Sequence, residues 1–316
     1  MNKKLNLSLA LSVFVTVAGA FAQTTSYSDV VGYETRAFVA GTTAHAVGLV
    51  QAAVYQGTAA TVTSAGITVS GSAFTANALA PSGGIPSHYI QITSGGSEGL
   101  VVDILGNTQN SLSVATGDLA GVSGTPSFVV RPHVKASTVF QGNSSLADYT
   151  DTLTIYNSDG STTNLLRDSS ASTGWIDSAS FSAVDVVIYP GQGYLLNASA
   201  PGNIMTTGVV NPSKTIVPIF SGIVNLVSLA NPSNGKDIQN TGLGASMADF
   251  TDTVGTFSSD GNLSQVSNLL WGGASDGFID PASFTQATGV IVGGTEPVIV
   301  NASSDIGWVV NSPLNP

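Results

Sequence analysis

Two pairs of carboxylates carry the only polar chemistry that the sequence repeats. Asp148 and Asp151 sit in Ser145-Leu146-Ala147-Asp148-Tyr149-Thr150-Asp151-Thr152. Asp249 and Asp252 sit in Ser246-Met247-Ala248-Asp249-Phe250-Thr251-Asp252-Thr253, 101 positions further on. Carboxylates three residues apart ahead of strand-like text are a candidate calcium site, because that cation collects roughly six to eight oxygens. Such a site requires each loop to fold back and add hydroxyls and carbonyls. Aspartates bonding their own backbone in turns account for the same residues at lower cost.

Other chemistries find less support. Gly95-Gly96-Ser97-Glu98-Gly99 has the spacing of a hydrolase nucleophile elbow, but that elbow needs a strand feeding a helix, and strand-like text stands on both sides here. A hairpin turn is the expected reading. His45, His88 and His133 have no His or carboxylate at metal-ligand spacing, and surface or strand-end places are expected for His88 and His133. A serine nucleophile then lacks its obvious base. Trp175, Trp271 and Trp308 are candidate sugar platforms, with core packing as the alternative. The Asp-Gly pairs at Asp159-Gly160 and Asp260-Gly261 read as turns, since neither loop has the spacing of an EF-hand.

The elements that position these residues are strands. The chain of 316 residues holds 36 Gly and no Cys, and only 9% of it is charged. This suits short strands joined by turns, and it removes disulfides, thiolate metal sites and cysteine nucleophiles. A net charge of −11, with six scattered Lys and Arg beyond Lys3 and Lys4, argues against nucleic acid and anionic lipid as partners. The start, with Lys3 and Lys4, an apolar run from Leu5 to Ala20, and Ala20-Phe21-Ala22, reads as a signal peptide over 1–22. Export to the periplasm, cell surface or exterior is expected, with no transmembrane segment after cleavage.

The carboxylate motif belongs to a larger repeat. Gly174-Trp175-Ile176-Asp177 returns as Gly277-Phe278-Ile279-Asp280, which makes Trp175 and Phe278 expected core equivalents. Asp177 and Asp280 are each placed to cap one turn, Ser178 to Phe181 and Pro281 to Phe284. Two apolar runs at Tyr33–Gly41 and Ala46–Val54 look like a hairpin, echoed by Thr215–Gly222 and Val224–Pro232. The first hairpin is much farther from its Asp motif than the second, so an insertion is inferred. The expected organisation is a β module of 23–55 plus 136–212, an inserted small β-domain at 56–135, and a second module at 213–316. Six short strands in the insert predict a small barrel or curled meander.

The insert's Tyr89-Ile90-Gln91-Ile92-Thr93-Ser94-Gly95, Glu98-Gly99-Leu100, Asn107-Thr108 and Val129-Val130-Arg131-Pro132 resemble a family of uncharacterised secreted bacterial proteins. The repeats are also similar to exported β modules that begin Asn-Leu-Val-Ser-Leu, as at Asn225 to Leu229, and end Pro-Gly-x-Gly-aromatic, as at Pro190 to Tyr194. Two departures stand out: Val47-Gly48-Leu49-Val50 where Asn-Leu-Val-Ser is expected, and Glu296-Pro297 in place of Gln-Gly. The resemblance implies architecture and transfers no activity.

The expectation is an all-β chain of two related sandwich or barrel-like modules with a small antiparallel barrel-like domain inserted in the first. Its expected role is non-catalytic, as a structural or binding component of the cell envelope or exterior, with a glycan or another surface component as partner. Two alternatives are a carbohydrate-active or carbohydrate-binding protein using Asp and Trp residues, and a calcium-stabilised adhesin.

Overall fold

The computed structural model describes residues 30–143, 145–232, 235–257, 263 and 267–314. The signal segment at 1–22 and the turn at Asp260-Gly261 lie outside them. The fold is all β, with 26 strands among the described residues and a single α-helical turn at Ala136–Val139. Among the described residues, no helix is long and apolar enough to cross a membrane.

Two five-stranded antiparallel sheets share one order. The first runs Trp175–Asp177, Thr162–Arg167, Thr152–Tyr156, Gly193–Ala198, Gly41–Ala46. The second runs Phe278–Ile279, Ser267–Trp271, Thr253–Thr256, Val298–Asn301, Asn225–Val227. Alternation selects the faces: in Thr152–Tyr156, Leu153 and Ile155 point into the core while the residues between them are only half-buried. Trp175 and Phe278 occupy matching places, opposite Arg167 and Trp271 respectively, and both are buried. Three separate hydrophobic clusters form among the described residues. One gathers Leu153, Trp175, Tyr194 and Leu196, and another Val254, Phe278, Val300 and Trp308. The third draws its buried members only from residues between Ala59 and Val130.

That third cluster lies between two four-stranded sheets. One has the order Tyr55–Thr58, Ser127–Pro132, His88–Ile92, Val101–Asp103, and the other Thr61–Thr63, Gly66–Thr68, Ser111–Ser113, Gly106–Asn107. The chain passes directly from an edge of one sheet to an edge of the other at Ala59-Ala60 and at Ile104-Leu105, so the two sheets stack as a barrel-like pair whose edges are not joined by a ladder among the described residues.

The hairpins expected near the start of each repeat do not form. Val31–Phe38 pairs with Gly202–Val209, and Gly41–Ala46 pairs with Gly193–Ala198, so consecutive strands enter different sheets. Thr215–Ile219 and Asn225–Val227 diverge in the same way, to Ile306–Val310 and Val298–Asn301. The pairing also shifts the correspondence by four residues. Tyr194 lies opposite His45 as Val298 lies opposite Val227, which makes Thr43-Ala44-His45-Ala46 the counterpart of Asn225-Leu226-Val227-Ser228. The segment from Val47 to Val50 lies past that strand, which explains its missing motif.

The two repeats exchange backbone hydrogen bonds. Ser228 N–H donates to Gly191 O (2.8 Å), and Ala46 N–H donates to Thr295 O (3.2 Å). Close approach at this seam requires glycine. Gly191 has φ +82° and packs on Val217, and a Cβ on Gly193 would stand 2.7 Å from Leu226 Cγ and 2.8 Å from Pro297 Cβ. Arg36 crosses the seam to Glu296 (2.8 Å). His45 lies fully buried beside it, with Nε2 2.7 Å from Thr43 Oγ1. Burial first, and the Arg36 charge second, lower its pKa to about 3.

Two outcomes follow from this seam. Gly193→Ala overpacks it and lowers unfolding free energy by about 1–3 kcal/mol in denaturant titration. Unfolded His45 accepts a proton near its ordinary value of 6.5 while the folded ring resists until about 3, so it removes stability progressively as pH falls through that window. His45→Gln should flatten that part of the stability profile, and an unchanged slope would count against it.

Candidate functional site

The repeated aspartates are placed alike in both copies. Asp151 is fully buried; its Oδ2 accepts Ala147 N–H (2.9 Å) and its Oδ1 accepts Ser199 N–H (2.8 Å). Asp252 accepts Ala248 N–H (2.8 Å) and Ser303 N–H (2.8 Å) with the same two atoms. Each carboxylate ties the loop before one strand to the loop after its neighbour. Asp148 faces outward, accepting Ser169 N–H (2.8 Å) and Ser169 Oγ (2.5 Å), and Asp249 rests against the backbone at Gly273. The members of each pair therefore engage different backbone. No group of three or more His or acidic side chains able to hold a metal occurs among the described residues.

Asp177 and Asp280 cap their turns. Asp177 Oδ1 accepts Ser180 N–H at 2.7 Å, and Asp280 Oδ1 accepts Ala282 and Ser283 N–H at 2.8 and 2.9 Å. Backbone hydrogen bonds lead in holding both carboxyls below their ordinary pKa. Each turn presents an aromatic residue at positive φ, Phe181 at 55° and Phe284 at 54°. The Asp-rich motif does the same with Tyr149 at 56° and Phe250 at 53°. All four rings are exposed, by 58 to 67%. A left-handed backbone costs a non-glycine residue about 1–2 kcal/mol, so paired exposed aromatics held there point to a use. Exposed aromatics at these positions are missed by sequence reasoning, because nothing in Asp-Tyr-Thr-Asp betrays the sign of φ.

The tryptophans sit differently. Trp175 and Trp308 are wholly buried, and Trp271 packs edge-on against Phe278 at 4.9 Å. The Gly95–Gly99 loop connects the paired strands His88–Ile92 and Val101–Asp103, as a hairpin. His88 opens a strand with Nδ1 2.9 Å from Ser87 Oγ, and burial leads in lowering its pKa, ahead of His133 and Lys135.

His133 is neither at the surface nor alone. It is buried between the rings of Tyr89 (4.9 Å) and Tyr189 (5.2 Å). Its Nε2 lies 3.0 Å from Asp103 Oδ1, off the line of a hydrogen bond. Asp103 Oδ2 accepts the Tyr189 hydroxyl at 2.7 Å. Burial, then the Asp103 charge and this hydrogen bond, push the Tyr189 phenol well above its ordinary pKa, so it stays protonated. The cluster joins strand Val101–Asp103 to the first repeat. Asp103 and His133 are 30 residues apart in the chain, so spacing rules cannot find them.

Asp103 and Tyr189 also line a cleft of about 590 Å³ where the 55–132 barrel meets both repeats. Leu100 and Val101 come from the barrel, Tyr189 and Gln192 from the first repeat, and Phe220 and Leu226 from the second. Among the described residues, Asp103 and Asp118 are its charged lining residues, and no Lys, Arg or His lines it. An apolar wall with a few polar groups at a junction of units, in the range of about 300–1,000 Å³, is the usual form of a small-ligand site. No family model, curated protein or solved structure matches this chain.

Removing the Asp151 carboxylate strands two amides, and each buried unsatisfied donor costs about 1–3 kcal/mol. Asp151→Ala and Asp252→Ala should each lower unfolding free energy by about 2–5 kcal/mol. Asp148→Ala should cost less than about 1 kcal/mol. Equilibrium denaturation ranks the three, and equal losses would contradict the clamp.

Proposed function

We propose that the chain is an exported, non-catalytic binding component of the cell envelope or exterior, holding its ligand in the three-way cleft. Two copies of one β module, with a small barrel inserted at 56–135 in the first, would form that cleft at their junction. The repeated sheet order and the separate cluster within 59–130 support this organisation. The sequence from Lys3 to Ala22 supports export. The cleft itself carries the binding reading: three units converge on about 590 Å³ of mostly apolar space. Its polar groups are arranged to hold rather than to react. One oxygen of Asp103 is held by the Tyr189 phenol, and the ring of His133 is shielded from the cleft by burial.

A second reading, glycan binding, draws on the exposed Tyr149, Phe181, Phe250 and Phe284, whose duplication suits a repeating ligand. It replaces the tryptophans with these rings as stacking platforms.

A thermal-shift screen of oligosaccharides, peptides and small amphiphiles tests both. A ligand at one hundred times its Kd stabilises by about 2.7 kcal/mol. Val224→Trp fills the cleft from a partly exposed position, and should abolish the shift for a cleft ligand. Tyr149→Gly with Phe250→Gly keeps the left-handed backbone and removes the rings. Loss of the shift in that variant alone would favour the glycan reading.

A further inference from the structure

The wall of the cleft on the barrel side is a strand edge. Val101–Asp103 is outermost in its sheet and, among the described residues, pairs only with His88–Ile92. Ile92 N–H donates to Leu100 O (2.9 Å) and Ile104 N–H donates to His88 O (3.0 Å). Doubly bonded and non-bonded pairs alternate along an antiparallel ladder, so Ile90 and Val102 form the bonded pair between those two. The N–H and C=O groups of Val101 and Asp103 therefore point away from the sheet, on the side of the cleft that both residues line. Those groups meet no hydrogen-bond partner among the described residues.

The opposite wall is a second edge, and it is blunted. Ile216 N–H donates to Gly99 O (2.9 Å), which fastens Thr215–Ile219 to the barrel just before Val101–Asp103 begins. Beyond that point the two edges part and the cleft opens between them. The next outward position on the second edge is Pro218, which has no N–H to offer. One side of the gap thus carries a full set of unpaired ladder groups, and the other cannot close on it.

We infer that the cleft takes an extended polypeptide segment, added as a further strand to the Val101–Asp103 edge and carrying a basic side chain. The inference rests on the cleft being the binding site. Backbone pairing is the chemistry that unpaired strand edges recognise, and side chains alternating along the segment are sorted by the walls. Here the walls are apolar at Leu100, Phe220 and Leu226, while Asp103 and Asp118 supply two negative charges with no cation among the lining residues. A small apolar ligand would fill the same volume and leave the edge unpaired.

The test uses acetylated, amidated pentapeptides with a central Lys and Val, Leu, Thr or Tyr elsewhere. Binding is measured by calorimetry, with hydrogen exchange followed at the Val101 and Asp103 amides. The tightest peptide should slow exchange at both amides. N-methylation of its alternate amides should weaken it about tenfold or more, and Glu in place of Lys should weaken it similarly. Asp118→Asn, an exposed change, should weaken the Lys peptide and spare a version with Gln at the centre. A peptide that binds without protecting those amides, or tolerates N-methylation in both registers, overturns strand addition. Failure of every peptide, alongside a glycan or amphiphile lost in Val224→Trp, overturns the peptide and leaves the cleft as the binding site. Failure of every class removes both.

Discussion

The arrangement depends on the reciprocal seam between the repeats. Each copy gives one backbone N–H and accepts another through equivalent positions, Ser228 to Gly191 and Ala46 to Thr295. On one side of the seam the packing leaves no room for a Cβ, which fixes glycine at 191 against Val217 and at 193 against Leu226 and Pro297. Gly191 and Gln192 sit next to Pro190 and Tyr189, so the same turn that seals the seam also builds one wall of the cleft. Its shape is a by-product of how the copies fit.

The copies differ where they face each other and agree where each faces its own core. Gln192 reaches back to Tyr156 O (2.9 Å), whereas Glu296 reaches across to Arg36 (2.8 Å). The departure of Glu296-Pro297 from the Pro-Gly-x-Gly pattern is thus an adaptation of an interface, with the proline ring seated over Gly193. Within each copy the buried aspartate clamp repeats atom for atom, because its task is internal. An inward carboxylate serving two amides also frees the loop to carry an aromatic residue outward at positive φ.

Much of this was legible in the residues. Turn-rich, cysteine-free composition indicates an all-β chain, and the repeated Asp motifs do stand just ahead of strands, Thr152–Tyr156 and Thr253–Thr256. The Asp177 and Asp280 caps and the equivalence of Trp175 with Phe278 also follow from local text. Pairing did not follow, because a period of two is the same whether a strand bonds its neighbour or one 150 positions away. Thr43-Ala44-His45 hides its kinship with Asn225-Leu226-Val227 for a related reason: a strand buried in the seam needs fitting volumes more than a fixed set of side chains. The Asp103, His133 and Tyr189 cluster is assembled from three distant segments, and only the fold brings it together.

Tyr55–Thr58 and Ser127–Pro132, where the chain enters and leaves the barrel, are bonded neighbours, with Tyr55 opposite Val130. Neighbouring strands lie about 4.8 Å apart, so the covalent attachment of the segment between them is a narrow stem. Its orientation is set sideways instead, by Gly99 O accepting Ile216 N–H and by the Tyr189 hydroxyl donating to Asp103, the latter lying in the wall of the cleft.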